Sequence, residues 1–128
     1  MTTTYYVQAS ISKDGLFADC SYFYDKAATQ PVEGSTLSVP FGDEVCVFEQ
    51  ADGSELVLLG ASFKTLGAAP VMRGTNFAAT DGTSSLGVPM PPDEEVTKGV
   101  VLLFSNPGRV DSLYASADPE ITNGSGAC

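Results

Sequence analysis

Tyr5, Val7, Ala9 and Ile11 alternate with Tyr6, Gln8 and Ser10 near the start of the chain, and a period of two sends the first set to one face of an extended strand. Lys13-Asp14-Gly15 then supplies a residue that tolerates positive φ where the chain must reverse. Leu16, Ala18, Cys20, Tyr22 and Tyr24 resume the alternation against Asp19, Ser21 and Asp25. Residues 4–25 therefore read as a β-hairpin. No window carries an apolar i, i+3, i+4, i+7 stripe between helix caps, so helix content is expected to be small.

The rest of the chain continues in the same way. Thr36-Leu37-Ser38-Val39 is a short strand stopped by Pro40, which has no N–H for a ladder. Val45-Cys46-Val47-Phe48 and Leu56-Val57-Leu58-Leu59 flank Ala51-Asp52-Gly53-Ser54 and predict a second hairpin. Both are continuous apolar runs, which predicts strands covered on both faces or lying at sheet centres. From Phe63 to Glu95 prolines and glycines break any period, leaving loops with short strands near Phe77 and Val88; whether residues 68–95 shape a pocket is left open. Val100-Val101-Leu102-Leu103-Phe104 is the clearest buried strand. Asn106-Pro107-Gly108 has the composition of a type II turn, after which Val110 to Ala115 should pair back antiparallel.

A chain of 128 residues, 43% apolar and 17% charged, can bury one core and fold alone. The expected fold is an all-β antiparallel sandwich, immunoglobulin-like, of about seven or eight strands, with a partly open barrel as the rival. Residues 1–122 are expected to form this domain and 123–128 a flexible tail.

Six basic against sixteen acidic side chains give a net charge of −10, which repels nucleic acid and anionic membrane surfaces. The cations Lys13, Lys26, Lys64, Arg73, Lys98 and Arg109 lie far apart and form no basic run. The start of the chain lacks the basic and apolar segments of a secretory signal, so a cytoplasmic location is expected. Cys20, Cys46 and Cys128 form no CxxC pair and have no histidine to complete a zinc site, which fits reduced thiols. Cys20 and Cys46 fall in strands and read as core residues.

The absence of histidine removes the side chain that most often moves protons near neutral pH. Ser-His-Asp and Cys-His mechanisms are thereby excluded. Two groups of carboxylates could still form sites: Asp93-Glu94-Glu95, and Asp111, Asp118 and Glu120 with Asn123. Oxygens of this kind suit hard cations such as calcium, but their spacing is not that of the EF-hand loop, and a solvated acidic edge is the plainer reading. No glycine-rich phosphate cradle is present, and no cofactor is expected.

Val100 to Phe104, then Leu113-Tyr114-Ala115-Ser116-Ala117, then Asp118-Pro119-Glu120-Ile121-Thr122-Asn123 resemble the end of small bacterial proteins grouped as the DP-EP family. The Asp-Pro step also resembles the last strand of certain inclusion-body proteins. The resemblance implies an immunoglobulin-like sandwich with no established activity, and it carries over no functional residue. The chain has no Glu-Pro step, the second half of that family's motif.

The function expected from these features is non-catalytic, through binding or self-association, with a second copy or another protein as partner. The alternatives are a surface protein of a phage or other large particle, and a small hydrolase working through carboxylates.

Overall fold

β1 (Thr2–Ile11) and β2 (Phe17–Phe23) form the hairpin that their alternation predicts, antiparallel from Tyr6 opposite Phe23 to Ile11 opposite Ala18. Gly15 takes φ +76°, a value that L side chains rarely adopt, and its N–H donates to Ser12 O. The computed structural model describes residues 2–33, 36–67, 73–80, 85–116 and 120–123, with the backbone alone for 109–111.

Eight more strands follow among the described residues: β3 (Thr36–Ser38), β4 (Val45–Gln50), β5 (Val57–Thr65), β6 (Phe77–Ala79), β7 (Ser85–Pro89), β8 (Thr97–Asn106), β9 (Arg109–Ser116) and β10 (Glu120–Thr122). One 3₁₀ turn, Gly74–Asn76, leads into β6, and no α-helix occurs among these residues. The protein is all-β, and the short strands expected near Phe77 and Val88 are present.

The strands form two layers. In the first, β1 lies between β2 and β4, and β7 borders β4. In the second, β5 lies between β6 and β8, while β10 pairs with the start of β8 and carries β3 beyond it. β9 belongs to both, since Leu113, Tyr114 and Ala115 pair with β8 and Ala115 and Ser116 with β2. Where β9 turns away, the Leu102 N–H would lose its ladder partner; it donates instead to the buried Ser116 Oγ at 2.8 Å. On the opposite flank β7 lies against β5 and β6 without a ladder.

Alternation decides what fills the space between the layers. Tyr5, Val7 and Ala9 of β1, Cys46 and Phe48 of β4, Leu58 and Phe63 of β5, and Val100, Leu102 and Phe104 of β8 are all buried there. Tyr22 meets Phe48 edge-on, with ring centroids 6.2 Å apart. Each large side chain removed from water in this way stabilises the fold by roughly 1.5–3 kcal/mol before conformational entropy is counted.

Several local expectations are corrected. The pairing is mixed: β1 with β4, β2 with β9 and β3 with β10 run parallel, and ten strands rather than seven or eight are seen among the described residues. β4 and β5 do not form a hairpin, because β4 pairs with β1 and β7 and β5 with β6 and β8. The segment between them runs along the end of β1, with the Ala51 N–H donating to Val7 O and the Glu55 and Leu56 N–H groups to Ala9 O. It then crosses to the second layer. The turn after β8 is not type II, since Gly108 does not take positive φ; its N–H donates to Asn106 Oδ1 at 2.9 Å.

Asn123, expected to open the tail, is fully buried. Its Oδ1 accepts the Val96 N–H at 2.8 Å, and its Nδ2 donates to Pro91 O at 2.9 Å and Glu94 O at 3.0 Å. These bonds fix the proline-rich approach to β8. Residues 124–128, the remainder of the expected tail, lie outside the described residues.

Candidate functional site

The register of the second layer determines which side chains face away from the core. Val100, Leu102 and Phe104 point inward and are fully buried, so Val101, Leu103 and Ser105 point outward. Across β5, Ser62 stands opposite Val101, Gly60 opposite Leu103 and Val57 opposite Ser105. β6 extends these rows with Phe77 beside Ser62 and Ala79 beside Gly60, and β9 extends them with Ala115 beside Leu103 and Leu113 beside Ser105. Leu59 stands at the register shift between Leu58 and Gly60 and is 39% exposed.

The result is a continuous outer face of Phe77, Ala79, Val57, Leu59, Val101, Leu103, Leu113 and Ala115, interrupted only by Gly60, Ser62 and Ser105. None of these residues is charged, in a chain of net charge −10. Phe77 is 55% and Leu113 66% exposed, so nothing among the described residues covers the two flanks. Charge returns in the next row along the sheet, where Lys64 and Glu120 lie on either side of Gly99.

Two backbone features shape this face. The extra residue at Leu59 bends β5, as a bulge does. Gly60 then passes so close to β6 that an added Cβ would stand 2.7 Å from Ala78 O. The first layer differs in chemistry, since its outward positions mix Tyr6, Phe17, Phe23, Val45 and Val47 with Thr4, Gln8, Ser10, Asp19, Ser21, Glu49 and Ser85. Asp19 and Glu49 thus put carboxylates among the outward rows of the first layer, whereas the rows named above across β6, β5, β8 and β9 hold no charged residue and form the larger uncharged patch.

The continuous runs foreshadowed this face without locating it. The runs from Val45 to Phe48 and from Leu56 to Leu59 predict strands covered on both faces or lying at sheet centres, and β4 and β5 do each lie between two neighbours. The run from Val100 to Phe104 predicts a buried strand, yet only the inward residues of β8 are fully buried. Phe77 and Leu113 were not legible as surface residues, because their outward direction follows from pairing with β5 and β8.

The acidic candidates do not converge into such a site. Asp118 lies outside the described residues, as does the side chain of Asp111. Glu120 is half-buried on β10. Asn123 offers no open oxygen, because its side chain is fully buried and Oδ1, the atom that a cation would need, accepts the Val96 N–H. No group of three or more Cys, Asp or Glu residues close enough to hold a metal ion is found among the described residues. In the Asp93-Glu94-Glu95 group, the Glu94 carbonyl receives the Asn123 amide.

Burial pushes the Cys46 thiol up to about 12, and burial with the nearby Asp19 does the same for Cys20. Neither is a nucleophile near neutral pH. Cys128 lies outside the described residues. Tyr5 is also pushed up to about 12 by burial, and its hydroxyl donates to Ser38 O, joining β1 to β3. The Tyr22 hydroxyl is buried beside the Cys20 and Ser116 side chains, with no hydrogen bond of ordinary geometry to a partner among the described residues, and burial raises its pKa. No helix among the described residues is long and apolar enough to cross a membrane. Comparison with protein-family models and with curated proteins finds no match to this chain.

Proposed function

We propose that the protein is a non-catalytic β-sandwich that self-associates, with a second copy packing over the uncharged outer face of β5, β6, β8 and β9. One observation carries the reading: strands whose sequences are apolar on both faces have only their inner face covered. A second copy suits this face for an electrostatic reason. Two molecules of charge −10 repel over most approaches, and an uncharged face is where they can meet without placing like charges together. Such a contact is self-complementary, as a two-fold dimer requires.

The face spans four strands at about 4.8 Å spacing and three outward rows about 6.8 Å apart, a footprint on the order of 400 Å². Stable complexes bury about 800 Å² per partner, so the contact should be a reversible one with a dissociation constant in the micromolar range or weaker. Sedimentation equilibrium across protein concentration tests this. The expected result is a mass that rises toward the dimer with concentration and further with added salt, because salt screens the mutual repulsion. Leu113→Glu, at an exposed position, should keep the fold and hold the mass at the monomer. A wild-type protein that stays monomeric up to millimolar concentration would defeat the proposal, as would a dimer unaffected by the glutamate. Association that weakens with salt would point to a basic partner surface instead.

A further inference from the structure

A second feature lies away from the apolar face. The β1–β2 turn, the start of β2 and the end of β9 enclose an open cavity of about 560 Å³ lined by Ser12, Lys13, Asp14, Phe17, Ala18, Asp19 and Ser116. That volume falls within the range of small-molecule sites. The lining arises from the topology: among the described residues β9 pairs with β2 at Phe17 and Ala18, and the turn projects beside this junction.

The rim is held in place before any ligand arrives. The Ser12 hydroxyl donates to Asp14 Oδ1 at 2.6 Å, the same oxygen accepts the Leu16 N–H at 3.1 Å, and the Phe17 N–H donates to Ser12 Oγ at 3.1 Å. The bond from Ser12 also keeps the Asp14 carboxyl below its ordinary range. At the back, Ser116 is 6% exposed, its Oγ accepts the Leu102 N–H, and its hydroxyl lies beside that of Tyr22. Rigid walls of this kind reduce the ordering that binding would require.

The chemistry of the walls selects a ligand class. Phe17 presents a ring that is 53% exposed on the same outward face of β2 as Asp19, while Ala18 between them is 2% exposed and turned to the core. Asp14 and Asp19 outweigh Lys13, so the lining is net negative inside a chain that is itself strongly acidic. Asp14 is committed to the turn, whereas the Asp19 side chain is not engaged by any hydrogen bond or ion pair among the described residues. A carboxylate next to an exposed aromatic face is the pairing that holds an organic ammonium group. We infer that this cavity binds a small organic cation with an apolar body, its ammonium on Asp19 and its apolar part against Phe17.

Three probes of one shape test the assignment: phenethylammonium, 2-phenylethanol and phenylacetate, each titrated into the full chain while backbone amide resonances are followed. Phenethylammonium should give saturable shifts centred on Ser12, Phe17, Asp19 and Ser116, with a dissociation constant on the order of 1 mM for so small a ligand. Asp19→Asn, on an exposed position, should weaken it about tenfold with the melting temperature unchanged. Phe17→Leu should weaken it as well, and the neutral alcohol should bind less tightly than the cation. Equal or tighter binding of phenylacetate would overturn the inference in favour of an anion site at Lys13. Absence of saturable shifts with all three probes would remove the site, as would full affinity in the Asp19→Asn variant. These outcomes are independent of self-association, because Leu113→Glu protein can be titrated in the same way.

Discussion

Replacing Asn123 by alanine removes three hydrogen bonds from a fully buried position. The Val96 N–H loses its acceptor at 2.8 Å and is left unpaired beside a buried residue, at a cost of about 1–3 kcal/mol. Pro91 O and Glu94 O each lose a donor; as carbonyls that water can partly reach, they add about 0.5 kcal/mol each. The sum is about 2–4 kcal/mol. For a chain of 128 residues that corresponds to a fall in melting temperature on the order of 10 °C. Differential scanning calorimetry of the two proteins measures it directly. Asn123→Asp separates donor from acceptor, since it keeps the acceptor for Val96 but turns a carboxylate oxygen toward the two carbonyls. Its carboxyl should have a raised folded pKa, so the aspartate variant should regain stability as pH falls and lose it as pH rises through that pKa. A loss below about 1 kcal/mol for Asn123→Ala would refute the claim that this side chain fixes residues 91–96.

Three further outcomes are expected. Tyr22→Phe should leave stability unchanged or raise it by up to about 1 kcal/mol, since the hydroxyl it deletes is buried with no partner among the described residues; a chemical-denaturation curve showing a loss above about 1 kcal/mol would mean that the hydroxyl has a partner. Gly60→Ala should destabilise by about 1–3 kcal/mol, because its Cβ would stand 2.7 Å from the Ala78 carbonyl and β6 must move to admit it; an unchanged midpoint would show that β6 is not held at that distance. In a Cys128→Ser background, Cys20 and Cys46 should not react with a disulfide reagent at pH 8 in the folded protein and should both react in guanidinium, given thiols pushed up to about 12; a fast native phase would contradict their burial.

The sequence carried local information well and long-range pairing poorly. The β1–β2 hairpin was legible because alternation and Gly15 agree over adjacent residues. Asp52-Gly53 looked the same, and Gly53 does take positive φ at +77°. The flanking strands nevertheless separate into different layers, because β4 pairs along its length with β1 and β7 and the segment after it bonds to the end of β1. Parallel pairs such as β1 with β4 leave no mark on either strand taken alone. Asn123 misled for a related reason: beside Gly124, Ser125 and Gly126 it reads as loop, and its burial depends on a partner segment about thirty residues upstream.

The same limit explains why the apolar face appeared in the sequence only as an ambiguity. A run such as Val100 to Phe104 states that both faces of a strand avoid water, but it does not state what covers the second face. In this fold the neighbours of β8 in its own layer are β5, β9 and β10, and the other layer packs against one side alone. Val101 and Leu103 are therefore half-covered by their lateral neighbours, and Leu113 is left open. Covering them further takes material from outside these strands. An acidic surface keeps separate copies apart over most orientations, and the uncharged rows across β6, β5, β8 and β9 give them one orientation in which apolar burial can outweigh the repulsion.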